Sequence, residues 1–379
     1  MQIDFAASER STVGIEWELA LVDGSSGDLV HIAREVLEAL GTPDGREHPQ
    51  ITHELLLNTI ELISRVHRTV PDAVADLNEL MELVRAVTDP LGVELMCAGA
   101  HPFAQWFDQK VTPNERYDRL LDRTQWWGRQ MMIWGMHVHV GIDERDKALP
   151  IVNGLLTYYP HLQALSASSP FWAGAKTGYA SNRALMFQQL PTAGLPWQFG
   201  GWANYEEYVQ DLVNTGVVHD YTEVRWDIRP SPRWGTVEMR ACDGLSTAEE
   251  VGAVAAIIHC LVDRMSGQLD DGVEPVTLQP WFVRENKWRG ARYGMDAEVI
   301  LNAGGDERLV TDELRDLVVD LAPIADRLGC LEQLDMVELI IERGASYQRQ
   351  LRVAEENGGS LQAVVSSLTH ELRNGLSGS

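Results

Sequence analysis

Carboxylates and imidazoles set two apart inside apolar strands constrain this chain more than any other feature. In GIEWELALV (residues 14–22), Ile15, Trp17, Leu19 and Leu21 mark one face of a strand, with Val13 ahead of them. A period of two then puts Glu16 and Glu18 together on the other face. Two like charges at that spacing repel unless water, a base or a cation lies between them. For one such strand a solvated outer face is the ordinary explanation. Three further segments repeat the motif. GMHVHVGI (135–142) puts His137 and His139 on one face, and GTVEMRAC (235–242) does the same with Glu238 and Arg240. THELLLNTIELIS (52–64), read as one long strand, carries Glu54 and Glu61. Seven apart, these two face opposite sides of a regular strand, so a bulge or bend is needed to bring both to one site.

Glu and His on strands with no cysteine nearby make an oxygen-rich ligand set, which suits Mg²⁺ or Mn²⁺ better than structural zinc. Such metals generally bridge nucleotide phosphates. Fixed cations for a phosphate are present in Arg229, Arg233, Arg240 and the run RENKWRGAR (284–292). There is no P-loop, and no GxGxxG opening a helix, so the common nucleotide folds are disfavoured. The 56 acidic against 31 basic residues give a net charge of −25. That argues against duplex DNA or an anionic membrane as partner, both of which need a basic footprint, but leaves room for a local field that binds a small anion. The opening MQIDFAASERST has no basic region followed by an apolar run, so no secretory leader is expected. The most apolar window, VGAVAAIIHCLV (251–262), is too short to span a bilayer and reads as a buried helix. Cys97, Cys242, Cys260 and Cys330 form no CxxC pair and are expected to be reduced buried thiols in a cytoplasmic protein.

Between these strands, HIAREVLEAL closed by Gly41 and the stretch 70–92 read as helices, as do 114–130 and the region of 150–165. Residues 166–201, rich in Ser, Pro, Gly and Trp, read as an extended loop. The segments 223–230 and 235–242 flank a turn and predict a hairpin. From Ser246 the pattern is helical to the end. The hairpin favours α+β over a doubly wound parallel sheet, and no linker divides the chain, so one domain over 1–379 is expected, with a helical C-terminal region from about 305 to 379.

The order of the pieces (ExE, E-x6-E, MHVH, ExR) resembles the metal-binding pattern of the glutamine synthetase fold. It is more closely similar to the carboxylate–amine ligase family of type-two glutamate–cysteine ligases. Six blocks in order carry the resemblance: VGIEWELALVD, HELLLNTIELIS, MHVHVGI, SNRALMFQQLPTAGLP, RWDIRPSPRWGTVEMRACDG and ENKWRGARYGMDA. It implies a glutamine synthetase-like catalytic domain, with a curved, mainly antiparallel sheet and helices on its outer side. It also implies ATP with Mg²⁺ or Mn²⁺, and glutamate and an amine such as cysteine as small-molecule substrates. On the same ground Glu16, His137 and Glu238 would hold the metal touching the transferred phosphate, and Glu18, Glu54 and Glu61 the metals on the substrate side. His139 would contact ATP phosphate, and Arg240 would steady the phosphoryl group in flight. Arg229, Asn286 and Arg292 would face the nucleotide, and Arg183 a substrate carboxylate. Trp17 stands where the family often has an acidic residue; its side chain should face away from the site. The 166–201 segment is the expected lid, hinged at Pro191-Thr192-Ala193-Gly194. A homodimer is the default expectation for a soluble enzyme. Two rivals remain open at this point: a guanidino kinase, which shares the fold but makes no amide, and a non-catalytic ATP or metal sensor.

Overall fold

The computed structural model describes residues 2–41 and 46–376. Its centre is a seven-stranded sheet in which every pairing is antiparallel. The strands are β1 (Val13–Asp23), β2 (Ile51–His53), β3 (Thr59–Ile63), β4 (Val93–Met96) and β5 (Met136–Gly141). Two-residue strands β6 (Phe171–Trp172) and β7 (Ala175–Lys176) form a separate small hairpin. The main sheet is completed by β8 (Ile228–Ser231) and β9 (Thr236–Met239). The order is β2-β3-β1-β5-β9-β8, with β4 alongside the end of β1. Tight connections permit antiparallel pairing. At the β8–β9 turn Gly235 adopts φ +66°, and a Cβ there would lie 2.2 Å from the Ala6 carbonyl oxygen, so the turn needs glycine.

Alternation along β1 sorts the molecule into a front and a back. Ile15, Trp17, Leu19 and Leu21 are buried in the main core. Against that side pack the helix Val70–Thr88, begun by Thr69 as N-cap with Pro71 in its first turn, and the almost wholly buried helix Ala248–Asp270. Trp17 does face away from the site: its indole N–H donates to Cys97 Sγ at 3.2 Å, and that thiol donates to the Glu18 carbonyl at 3.1 Å. On the other face Ala20 and Val22 join a smaller core with Met96, Trp134, Val364 and Val365, while Glu16 and Glu18 are left for the site.

Several expectations give way to the structure. Residues 52–64 are not one strand. The chain turns over Glu54–Asn58, and β2 folds back on β3, pairing Thr52 with Glu61. Apolar composition alone does not separate a strand from a strand-turn-strand of that length. The helix expected over 114–130 breaks at Gln125, which takes φ +49°. The 166–201 segment holds the β6–β7 hairpin and a helix, Asn182–Phe187. The helical C-terminal region is interrupted near its start by a hairpin of β10 (Glu298–Ile300) and β11 (Glu307–Leu309); residues 377–379 of that expectation lie outside the described residues. No described helix is long and apolar enough to cross a membrane.

Candidate active site

Strand register brings the polar residues together. Glu18 lies opposite Glu61 across β1 and β3, Glu16 opposite His137 across β1 and β5, and Glu238 opposite both His139 and Arg229. The turn at 54–58 supplies the bend that Glu54 requires, so Glu16, Glu18, Glu54, Glu61 and His137 all line one cleft of about 300 Å³. Arg183, Arg229 and Arg240 line it too. The His137 ring meets Glu16 Oε2 at 2.7 Å, while His139 Nε2 stands 3.3 Å from Glu16 Oε1 and 3.8 Å from Glu238 Oε1. Arg229 Nε donates to Glu238 Oε2 at 2.7 Å, and Arg240 Nη1 donates to Glu238 Oε1.

The five carboxylates, Glu61 and Glu238 buried and Glu16, Glu18 and Glu54 half-buried, fall into two electrostatic states. Burial works to raise Glu238, but Arg229 and Arg240 outweigh it and hold the carboxyl well below the usual range. Glu16 is likewise lowered, burial being outweighed by hydrogen bonding with His137 and His139. Glu18, Glu54 and Glu61 go the other way. Burial pushes Glu18 up to about 7, helped by the charge of Glu54, and holds Glu61 well above the usual carboxylate range, helped by Glu16 and Glu54. Glu54 is also raised, chiefly by burial. A cation among these three would relieve the repulsion, and the ligand geometry allows it. One atom each from Glu16, His137 and Glu238 lie within 4.8 Å of one another, as do atoms from Glu18, Glu61 and His137. Glu54 lies beside both groups and belongs to neither. Two buried nitrogens, Arg183 Nε and Arg240 Nε, have no hydrogen-bond partner among the described residues. They are donors suited to an incoming anion.

Close backbone approach shapes the floor. The Gly135 N–H donates to Glu18 Oε2 at 2.5 Å, and a Cβ on Gly135 would sit 2.0 Å from Arg183 Nη2. Residues 168–181 of the segment expected to be a lid are tied to the strand side of the molecule through Asp243. The Ser168 N–H and the hydroxyls of Ser169 and Ser181 all donate to the buried Asp243. The Pro191–Gly194 turn is also anchored, with the Thr192 hydroxyl donating to the Glu223 carbonyl at 2.7 Å and the Asp227 N–H to the Gly194 carbonyl at 2.8 Å.

Two sequence candidates lie elsewhere. The Asn286 amide is fully occupied by the backbone of Ile300, donating and accepting at 2.8 Å, and so ties its helix to β10. Arg292 donates to the Gly178 carbonyl and stacks on Tyr179 and Tyr293. Neither lines the cleft. Arg116, Tyr117 and Arg225 do line it and were missed. Arg225 was within reach, since EVRWDIRP puts it four residues before Arg229; Arg116 looks like any solvated helix arginine.

This architecture is that of glutamine synthetase-like ligases. It matches the crystal structure of a bifunctional glutathione synthetase from Pasteurella multocida with a TM-score of 0.68 at 15% identity, over 95% of this chain and 52% of that longer one. It matches the glutamate–cysteine ligase of Francisella tularensis, solved in complex with AMP, with a TM-score of 0.66 at 14% identity, covering 98% and 90%. The model of the family described as "Glutamate-cysteine ligase family 2" matches residues 12–367. A protein named "Putative glutamate--cysteine ligase 2" from Leifsonia xyli subsp. xyli is 80% identical over 99% of both chains, and a homologue from an Arthrobacter species is 58% identical over 99% of both. The chain therefore belongs to glutamate–cysteine ligase family 2, and it is an enzyme of the class that forms C–N bonds.

Proposed function

We propose that this cleft joins a glutamate carboxylate to an amine at the expense of ATP. A carboxylate oxygen attacks the γ-phosphorus, the bond to the β-phosphate oxygen breaks, and ADP leaves behind an acyl phosphate. The amine nitrogen then attacks the acyl carbon, loses a proton and expels phosphate. Arg240 and Arg229 neutralise the phosphoryl group in transit, with His139 offering a further donor, and Arg183 orients a substrate carboxylate. Divalent cations such as Mg²⁺ fit the two ligand groups: Glu16, His137 and Glu238 would hold one, and Glu18 and Glu61 with Glu54 beside them another. When bound they would supply charge neutralisation for the phosphates.

The observation carrying this reading is that two ligand groups overlap at His137 directly beside a cluster of guanidiniums. A sensor or a guanidino kinase has no need of so many carboxylates. Four unpaired, buried cysteines support a reducing, cytoplasmic setting. The test is ADP release with Mg²⁺, glutamate and an amine panel including cysteine, with product mass read alongside and Glu16→Gln as control. Amine-dependent ADP release with a matching amide mass, abolished by chelation and in the mutant, is the expected result. ATP bound without turnover would defeat it.

A further inference from the structure

The cleft has a neighbour. A second cavity of about 150 Å³ lies between the helix Glu115–Thr124 and residues 216–225, and it shares Arg116, Leu120 and Arg225 with the cleft. Its walls add Arg119 and Arg123, and Glu223 is its sole carboxylate. Four guanidiniums against one carboxylate is an imbalance in a chain with 56 acidic and 31 basic residues. Other surface arginines find acids readily. Arg308 meets both Glu313 and Asp316, and Arg373 meets Asp89 and Glu94.

Here the arginines do not. Among the described residues Arg116 makes no side-chain hydrogen bond or ion pair, and Arg119 reaches only Glu115, at 3.8 Å across an exposed surface. Arg123 and Arg225 donate to the backbone carbonyls of Val217 and Glu223. Burial, and then the charge of Arg116, bring Arg225 down to about 10. Arg116, Arg119 and Arg123 are exposed, so water screens their repulsion, but so many positive charges on one wall with so little counter-charge favour an incoming anion.

The position of the cavity says which substrate brings that anion. Tyr117, next to Arg116, sets its ring edge-on to His53 at 6.2 Å, and Asn114, the N-cap of the same helix, lies 3.5 Å from His53 Nε2. His53 adjoins Glu54. The helix that carries Arg116, Arg119 and Arg123 thus borders the Glu54 side of the cleft, the facing wall at 222–224 is bonded to Arg229, and none of Glu16, Glu18, Glu54, Glu61, His139 and Glu238 lines the arginine cavity itself.

We infer that this arginine pocket receives an anionic group, carboxylate or phosphate, carried by the amine substrate, and so selects which amines the enzyme joins. The inference rests on the ligase reading above. Arg119 and Arg123 line only the outer cavity, which makes them specificity residues rather than groups at the reacting atoms.

The test compares matched amine pairs on the full-length enzyme: cysteine with cysteamine, β-alanine with β-alaninamide, and phosphoethanolamine with ethanolamine. The anionic member of at least one pair is expected to have a kcat/KM about tenfold or more above its neutral partner, the size of effect that a hydrogen bond to a charged group produces. R119Q/R123Q should collapse that ratio through KM for the amine, and R119K/R123K should restore much of it. The carboxylate and phosphate pairs identify which anion is preferred. Equal turnover within every pair, a preference that survives R119Q/R123Q, or a rise confined to KM for glutamate would overturn the inference. If no amide forms with any amine, the ligase reading fails at the amine, and calorimetry with phosphoethanolamine and β-alanine decides the pocket separately. Affinity lost in R119Q/R123Q keeps the pocket as an anion site, and equal affinity removes it.

Discussion

Glu238 and Glu61 are both buried glutamates on neighbouring parts of one sheet, yet their charge states are driven in opposite directions. Glu238 lies between two guanidiniums and beside an imidazole, and it stays ionised. Glu61 faces Glu18 across β1 and β3 with no ion pair among the described residues, and it resists ionisation. Burial is common to both, so partners and not depth decide the outcome. At the arginine-bound end the protein's own guanidiniums balance the Glu238 charge, whereas at the carboxylate-rich end no described basic side chain does the same for Glu61.

The sharpest break of this contrast is Glu238→Gln. It leaves Arg229 and Arg240 facing a neutral amide, and a loss of about 3–5 kcal/mol in unfolding free energy is expected from breaking a buried, hydrogen-bonded pair. Denaturant melts in EDTA would read it, and an unchanged midpoint would mean that the arginines re-solvate. Arg240→Gln comes next. It removes a donor aimed at developing charge, and turnover should fall by about 10²–10³, read as ADP release on protein whose melting is checked in parallel.

Glu18→Gln tests the other end and should be stabilising. A carboxyl raised from 4.5 to about 7 costs stability when ionised. That cost is fully present above the folded value, fades as pH falls, and is absent below the unfolded value. In EDTA the variant should therefore gain on the order of 3 kcal/mol over wild type at pH 8. The gain should vanish near pH 4.5, and Mg²⁺ should reverse it at pH 8. The smallest effect belongs to the back of the sheet. Trp17→Phe loses the hydrogen bond to Cys97 and some volume, for about 1–2 kcal/mol with turnover close to wild type. A large loss of turnover there would mean that front and back are not separable.

Much of this site was legible because strand periodicity is a strict rule. Glu16 with Glu18, His137 with His139 and Glu238 with Arg240 each fall on one face as spacing requires, and the β8–β9 hairpin follows from its turn. Glu54 and Glu61 were legible only as a demand for a bend; the reversal at 54–58 depends on tertiary pairing that local composition does not encode. Asn286, a conspicuous amide in a recognised block, bonds the backbone of Ile300 and does not line the cleft, which its sequence setting gives no sign of. Arg116 was invisible for the opposite reason, since an arginine on an amphipathic helix announces nothing until the chain places it over a cleft.

The pairing of β1 with β5 and of β5 with β9 also bears on how the molecule is made. Glu16 meets His137 across 121 positions of sequence, and His139 bonds Thr236 across 97. Contacts so distant carry a heavy loop-closure cost and form late. During synthesis Glu16, Glu18, Glu54, Glu61 and His137 all emerge before β8 and β9 bring Arg229, Glu238 and Arg240. The β8–β9 hairpin therefore brings the guanidiniums that balance Glu238 and the last two strands of the sheet in one short stretch of chain.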